Sequence, residues 1–386
     1  MSTPVWFTGF ESGSLSVNGA GLFDTINGTP AVQAVVKRTG NYALQCNAVG
    51  ANTNVKKNLA TPTVLVVTIY IRFAAYPAAS GCSLVYIGVT AGKALAINYN
   101  TATNRFYARF SGGADGNTAA VDIALDTWYR LDMKFDVSAN PSKIDFAVNG
   151  TAAAQSSYAQ AATTFVTLGI GQHDAVNVNV YYDDSIYSVT AADYPIGAFQ
   201  VEGLLPNADG THNNAANIIE DNDGNDVGAV TAYDHVNQLP MSESTLYLRQ
   251  AGNGVANYAE VAFADPINYT AYLGVMGILA YASADTAANE GACVVIRSDA
   301  TAITLWGTAA SRADYSESSV FYKSALITAP AGGWTLAEIG ALVARLGYSN
   351  DADPDPYWHN LMLEVASNGV TVQPPRTMHQ FRQRRT

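Results

Sequence analysis

The segment Tyr129-Arg130-Leu131-Asp132-Met133-Lys134-Phe135-Asp136 alternates strictly: odd positions are apolar or aromatic and even positions are charged. A β-strand sends successive side chains to opposite faces, so the pattern predicts one buried and one wet face. A helix would scatter those charges around its circumference. Ile144-Asp145-Phe146-Ala147-Val148 alternates too and stops at Asn149-Gly150, a dipeptide suited to a hairpin turn with positive φ. Val178 to Ile186 adds a third strand, and together the three predict an antiparallel, half-solvated sheet. Val64 to Ile71 is β-branched and nearly continuous, as expected of a central strand covered on both faces. Leu84 to Val89, Ala94 to Tyr99 and Arg105 to Phe110 follow at short intervals, a spacing that favours a sandwich over a βαβ fold.

Beyond residue 195 the strand pattern resumes at Ser244 to Leu248, Tyr258 to Phe263, Tyr269 to Tyr281, Cys293 to Arg297, Ile303 to Trp306 and Leu361 to Val365. One helix is predicted. Thr335-Leu336-Ala337-Glu338 reads as a capping box, Leu336, Ile339, Leu342, Val343 and Leu346 make an apolar stripe, and Gly347 stops it. Two prolines and two glycines between Asp193 and Asn207 mark a boundary. The chain divides into residues 1–195, 196–373 and a tail, 374–386, that starts at Pro374-Pro375.

The Trp128-led strand, the strand ending in Asn149-Gly150, the late Tyr182-Asp183-Asp184 strand and the opening Phe7-Thr8-Gly9-Phe10-Glu11-Ser12-Gly13 resemble the concanavalin-A-like (laminin-G-like) jelly roll. Asp193-Tyr194-Pro195-Ile196-Gly197, leading into Val201-Glu202-Gly203-Leu204-Leu205-Pro206-Asn207-Ala208-Asp209-Gly210, is similar to a junction in structural proteins of tailed bacteriophages. The expected fold is therefore all-β: two jelly-roll-like β-sandwich domains, the second with one α-helix. The resemblance implies a virion protein displayed on the capsid or tail surface as a decoration, fibre or tail-associated component. It would be made in the host bacterial cytoplasm, contact other virion proteins and form a homo-oligomer, trimeric or higher.

Charged residues make up only 13% of the chain, about half the usual share, so solubility rests on Asn, Thr, Ser and backbone. The net charge of −12 argues against a general nucleic-acid-binding surface. Arg376, Arg382, Arg384 and Arg385 stand apart in an end segment with no acidic residue. That tail reads as a solvated end, as an assembly anchor docking into an acidic neighbour, or as a contact to packaged nucleic acid. Three cysteines at wide spacing, Cys46, Cys82 and Cys293, form neither a disulfide framework nor a zinc site and read as buried thiols. The N-terminus lacks the pattern of a signal peptide, and no apolar run suits a bilayer span, so no membrane partner is expected.

A catalytic site is not expected. Glycoside hydrolysis needs two carboxylates flanking the sugar bond, and the first domain carries a single Glu, Glu11. Asp183-Asp184 offers hard oxygen ligands for calcium, against the simpler reading of a solvated strand end. Glu220 to Asp226 fails the EF-hand spacing and reads as an acidic surface loop. The histidines show no metal or nucleophile spacing. Tyr357-Trp358 reads as a sugar-stacking platform for a host glycan, or as a turn packing its Trp onto the second core. A carbohydrate-binding adhesin is accordingly the alternative to a purely structural role.

Overall fold

In the strand Tyr129–Asp136, Tyr129, Leu131, Met133 and Phe135 are all buried, as the alternation requires. The computed structural model describes residues 4–15, 22–111, 115–214, 217–228, 230–241, 246–252, 254–267, 269–283, 290–311, 313–314, 321–349 and 356–368. Tyr129–Asp136 pairs with Val64–Ala75 on one side and Ser142–Val148 on the other. The strand Val178–Ser188 completes the centre of a nine-stranded sheet by pairing with Val64–Ala75. Asn149 and Gly150 have φ of 49° and 86°, so the hairpin to Thr151–Ala152 uses two positive-φ positions.

A seven-stranded sheet centred on Cys82–Val89 and Phe165–Gln172 faces the first. Between them lie Leu65, Val67, Ile69, Ile71 and Phe73 against Val85, Ile87, Leu95, Ile97 and Phe106. Phe73 sits 5.1 Å from the Tyr99 ring and 6.0 Å from the Phe106 ring, an aromatic knot in that core. From Phe199 onward the described strands belong to two further six-stranded sheets. The first is built on Pro356–Asn368 and Ala271–Ser283, the second on Val343–Gly347 between Tyr258–Phe263 and Glu290–Ile296. Val275, Leu279, Leu361, Leu363 and Val365 meet Val261, Cys293, Val295, Ala344 and Leu346 in a second core. The fold is all-β and sandwich-like, every strand pairing described is antiparallel, and Cys46, Cys82 and Cys293 are free, buried thiols.

Three expectations are corrected. The helix spans only Leu336–Gly340. Its cap forms, since the Glu338 amide donates to Thr335 Oγ1 at 3.1 Å. Yet Val343–Gly347 is a central strand, because hydrogen bonds to strands on both sides satisfy its backbone and Ala344 and Leu346 alternate into the core. Second, the even face of Tyr129–Asp136 is not uniformly wet: Asp132 is fully buried, accepting from Thr68 Oγ1, Arg130 Nε and the Gly197 amide. Third, Val178–Ser188 is buried along nearly its whole length rather than half-solvated. At Asp184 its second face meets the later sandwich, through the Val201 amide. Among the described residues no helix is long and apolar enough to cross a membrane.

Replacing Phe73 with Ala removes the ring at the centre of the aromatic knot. Urea denaturation should show a loss of about 3–5 kcal/mol.

Candidate functional site

A dense convergence of polar side chains lies at the seam between the two sandwiches. Gly9 is the first reason the seam closes: a Cβ there would stand 2.9 Å from Val201 Cβ, so only glycine permits this approach. Around it Phe7, Phe10, Phe199, Val201, Met241, Met276, Ile278, Met362 and Ala366 pack into one cluster continuous with the first core. The sandwiches are joined through apolar surface, not merely tethered.

Into this apolar seam the chain inserts carboxyl groups. Strand Val178–Ser188 shifts register against Val64–Ala75 between Asp183 and Ile186, and Asp184 takes φ 41°. Such a bulge redirects side chains that would otherwise alternate, so both Asp183 and Asp184 meet the loop before the strand Ala43–Ala48. Asp183 Oδ2 accepts from the Arg38 and Thr39 amides at 2.7 and 3.3 Å, and Oδ1 from the Asp184 amide at 2.8 Å. Asp184 Oδ1 accepts from the Val201 amide and Oδ2 from Thr39 Oγ1, both at 2.7 Å. Arg38 Nη1 donates to Asp184 Oδ2 and, at 3.0 Å, to the Phe199 carbonyl, while the guanidinium lies 3.4 Å above the Tyr70 ring.

A second pair lies nearby. Glu364 Oε1 accepts from Thr8 Oγ1 at 3.0 Å and from the Glu11 amide at 2.9 Å, while Oε2 has no hydrogen-bond partner. Glu11 Oε2 accepts from the Asn41 amide at 2.8 Å, and its Oε1 also lacks a partner. Gly40, at φ 55°, makes room for that oxygen: a Cβ would stand only 2.0 Å away. Asp183, Asp184, Glu11 and Glu364 are all fully buried. Burial pushes Glu11 and Glu364 up to about 8 and raises Asp183 and Asp184 as well, although Arg38 draws Asp184 back down. Glu202, which accepts from the Ile267 amide, is pushed up to about 7, again by burial.

The expected sites fall as follows. Asp183 and Asp184 are interior, not at a solvated strand end, and all four of their oxygens accept from protein donors. Among the described residues no group of three or more His, Cys, Asp or Glu is arranged to hold a metal ion. Asp221 is buried, and its Oδ1 accepts from the Asp223 and Asn225 amides, so it folds its own turn rather than leaving the loop wholly at the surface. Trp358 is fully buried in the second core and unavailable to stack on a sugar. Tyr357 is part-exposed and stacks on Tyr247 at 4.7 Å. Arg376, Arg382, Arg384 and Arg385 lie outside the described residues. Sequence reasoning missed Arg38 and Glu364, and took Glu11 only as a missing catalytic partner. The available signal was a lone acid in each of two apolar strand contexts, Trp6 to Glu11 and Leu361 to Val365.

A cavity of about 300 Å³ opens on the face of the Val343–Gly347 sheet turned away from the second core. Val294, Ile296, Thr304 and Tyr348 line it, with Arg345. Arg345 Nε donates to Glu260 Oε2 at 2.7 Å, and its guanidinium lies 4.4 Å from the Tyr258 ring centroid.

No protein-family model matches the chain, and no curated protein matches it. Solved structures resemble it weakly. One is a cellulose-induced protein, Cip1, with TM-score 0.38 and 14% identity over 48% of this chain and 97% of that one. Another is a Bacillus subtilis protein of unknown function with a galectin-like fold, at TM-score 0.32 and 14% identity over 44% of this chain and 96% of that one. A Trypanosoma rangeli sialidase bound to the inhibitor DANA gives TM-score 0.34 and 13% identity, over 45% of this chain and 29% of the sialidase. Likeness at this level carries no statement about activity or ligand.

Replacing Arg38 with Ala leaves buried carboxylates without their cation and should cost about 3–5 kcal/mol in chemical denaturation at neutral pH. Lys at this position should restore only part of that, because it cannot reproduce the planar contact with Tyr70 and the fork to Asp184 and Phe199. Trp358→Ala should likewise lower stability, by about 3–5 kcal/mol.

Proposed function

We propose that this chain is a non-enzymatic structural protein of a tailed-phage virion, displayed on the capsid or tail surface. The observation that carries the structural half of this reading is the seam. Its set of carboxyl groups is sealed from water and bonded to backbone amides, hydroxyls and Arg38, so it holds two sandwiches in one geometry. A catalytic carboxylate pair needs access to substrate and water, which this arrangement denies. A body that keeps its shape suits repeated display on a symmetric particle. The phage half rests on the resemblance of Asp193 to Gly210, the stretch that crosses from one sandwich to the other. Partners on this reading are other virion subunits and further copies of the chain, with the basic tail as the anchor.

The test is attachment. Full-length protein and a chain truncated after Pro375 are each mixed with particles lacking the protein and sedimented. Full-length chain should co-sediment and the truncated one should not. Attachment of both would move docking to a sandwich surface, and attachment of neither would overturn the virion reading.

A glycan-binding adhesin is the second reading, favoured by the cavity beside Arg345, where an apolar wall meets a charged pair and Tyr348. Such a mixture suits a sugar, whose faces are apolar and whose rim carries hydroxyls. Tyr348→Ala should abolish any binding seen on a glycan array. Because Asp183 and Asp184 already accept from protein donors, EDTA should leave both that binding and the melting temperature unchanged.

A further inference from the structure

Glu11 and Glu364 reach the seam from opposite sandwiches, and each leaves one buried oxygen without a hydrogen-bond donor. A buried carboxylate oxygen with no donor is costly, and two neighbouring carboxylates cannot both carry charge cheaply. The amides of Asn41 and Tyr42 at Glu11, and those of Glu11 and Gly9 with the Thr8 hydroxyl at Glu364, offset part of this cost, but the charged groups facing the pair do not. From strand Val178–Ser188 come Asp183 and Asp184, both acidic. From the loop before Ala43–Ala48 comes Arg38, whose Nη1 is engaged by Asp184 and Phe199. Tyr70, on Val64–Ala75, lies under that guanidinium, and Tyr42 lies beyond Gly40 against Gly13. Among these described residues, four carboxyl groups stand against one guanidinium. The charge balance demands protons, and the two orphaned oxygens are where a proton gains most.

We propose that Glu11 and Glu364 form a protonated latch that keeps the two sandwiches docked while the carboxyls hold their protons and loosens the seam when these leave. A proton on either carboxyl turns an orphaned acceptor into a hydroxyl and removes one buried charge, while the oxygens already bonded to Thr8, Asn41 and the Glu11 amide stay in place. Unfolded glutamates titrate at 4.5, and burial moves both of these to about 8. The folded state therefore holds protons that the unfolded state has released. The stabilisation is complete below about pH 4.5 and is lost as pH rises through about 8, opposite in sign to an ion-paired carboxylate. The seam opens on the alkaline side.

Hydrogen exchange of the full chain, read by mass spectrometry and corrected for the intrinsic rate, tests this. Between about pH 6 and about pH 9, segments 8–15, 199–206 and 360–368 should lose protection by about a hundredfold or more, with 129–136 unchanged. In the double variant Glu11→Gln with Glu364→Gln, which removes both titrating groups, the same segments should change less than about twofold. Should the double variant fail to fold, either single glutamine variant keeps one titrating group and should show a pH-dependent loss clearly smaller than that of the wild type. Wild-type protection that stays flat with pH overturns the latch. So does an equal loss in wild type and in the glutamine variants, which would place the titrating group elsewhere. Small-angle scattering of the wild type should show the radius of gyration rising over the same pH range, and a constant radius counts against opening.

Discussion

Arg38 is the cation on which the seam depends. Its guanidinium lies on Tyr70 of the first sandwich, pairs with Asp184 on the bulged strand, and donates to the Phe199 carbonyl at the start of the second sandwich. One planar group thus touches both bodies and offsets the charge of an acid that would otherwise be stranded away from water. The neighbouring backbone follows its lead, because the Arg38 and Thr39 amides both donate to Asp183. Gly40 then gives the loop the close approach that Glu11 needs. Without that loop the apolar surfaces of Phe199 and Val201 would still favour contact, but the acids between them would oppose it.

That arrangement explains why the central strand Val178–Ser188 is buried on both faces. One face fills the first core through Val178, Val180 and Tyr182, and the other meets the loop and the second sandwich. A sheet with one wet face would have needed no bulge there. The bulge lets two consecutive aspartates serve one interface, and it makes the junction a specific geometry rather than a greasy contact. Specificity gained this way carries an electrostatic cost, visible in the raised carboxyl groups and in the oxygens left without donors.

Much of the fold was legible. The alternation in Tyr129–Asp136 and Ile144–Val148, the Asn149-Gly150 turn and the continuous apolar run at Val64 each report a local preference that the structure realises. The helix was half legible: Thr335 and Glu338 form the cap, but Val343 to Gly347 has an apolar spacing that fits a helix stripe and a strand equally. Pairing on both edges decided it. The candidate site was legible only in fragments. Asp183-Asp184 stood out as an acidic pair, yet its partner Arg38 lies 146 residues away in sequence, and Glu364 is 353 residues from the Glu11 amide it binds. Trp358 showed the same limit, since an aromatic beside a turn reads alike whether its ring faces solvent or core.

By itself the sequence determined the all-β strand content and the approximate elements. These follow from side-chain periodicity and turn chemistry, which act over a few residues. Only the tertiary structure decided which acids are wet and which are sealed. Asp132, Asp183, Asp184, Glu11 and Glu364 lose their water to parts of the chain remote in sequence, and desolvation depends on what packs against a group rather than on its neighbours in the sequence.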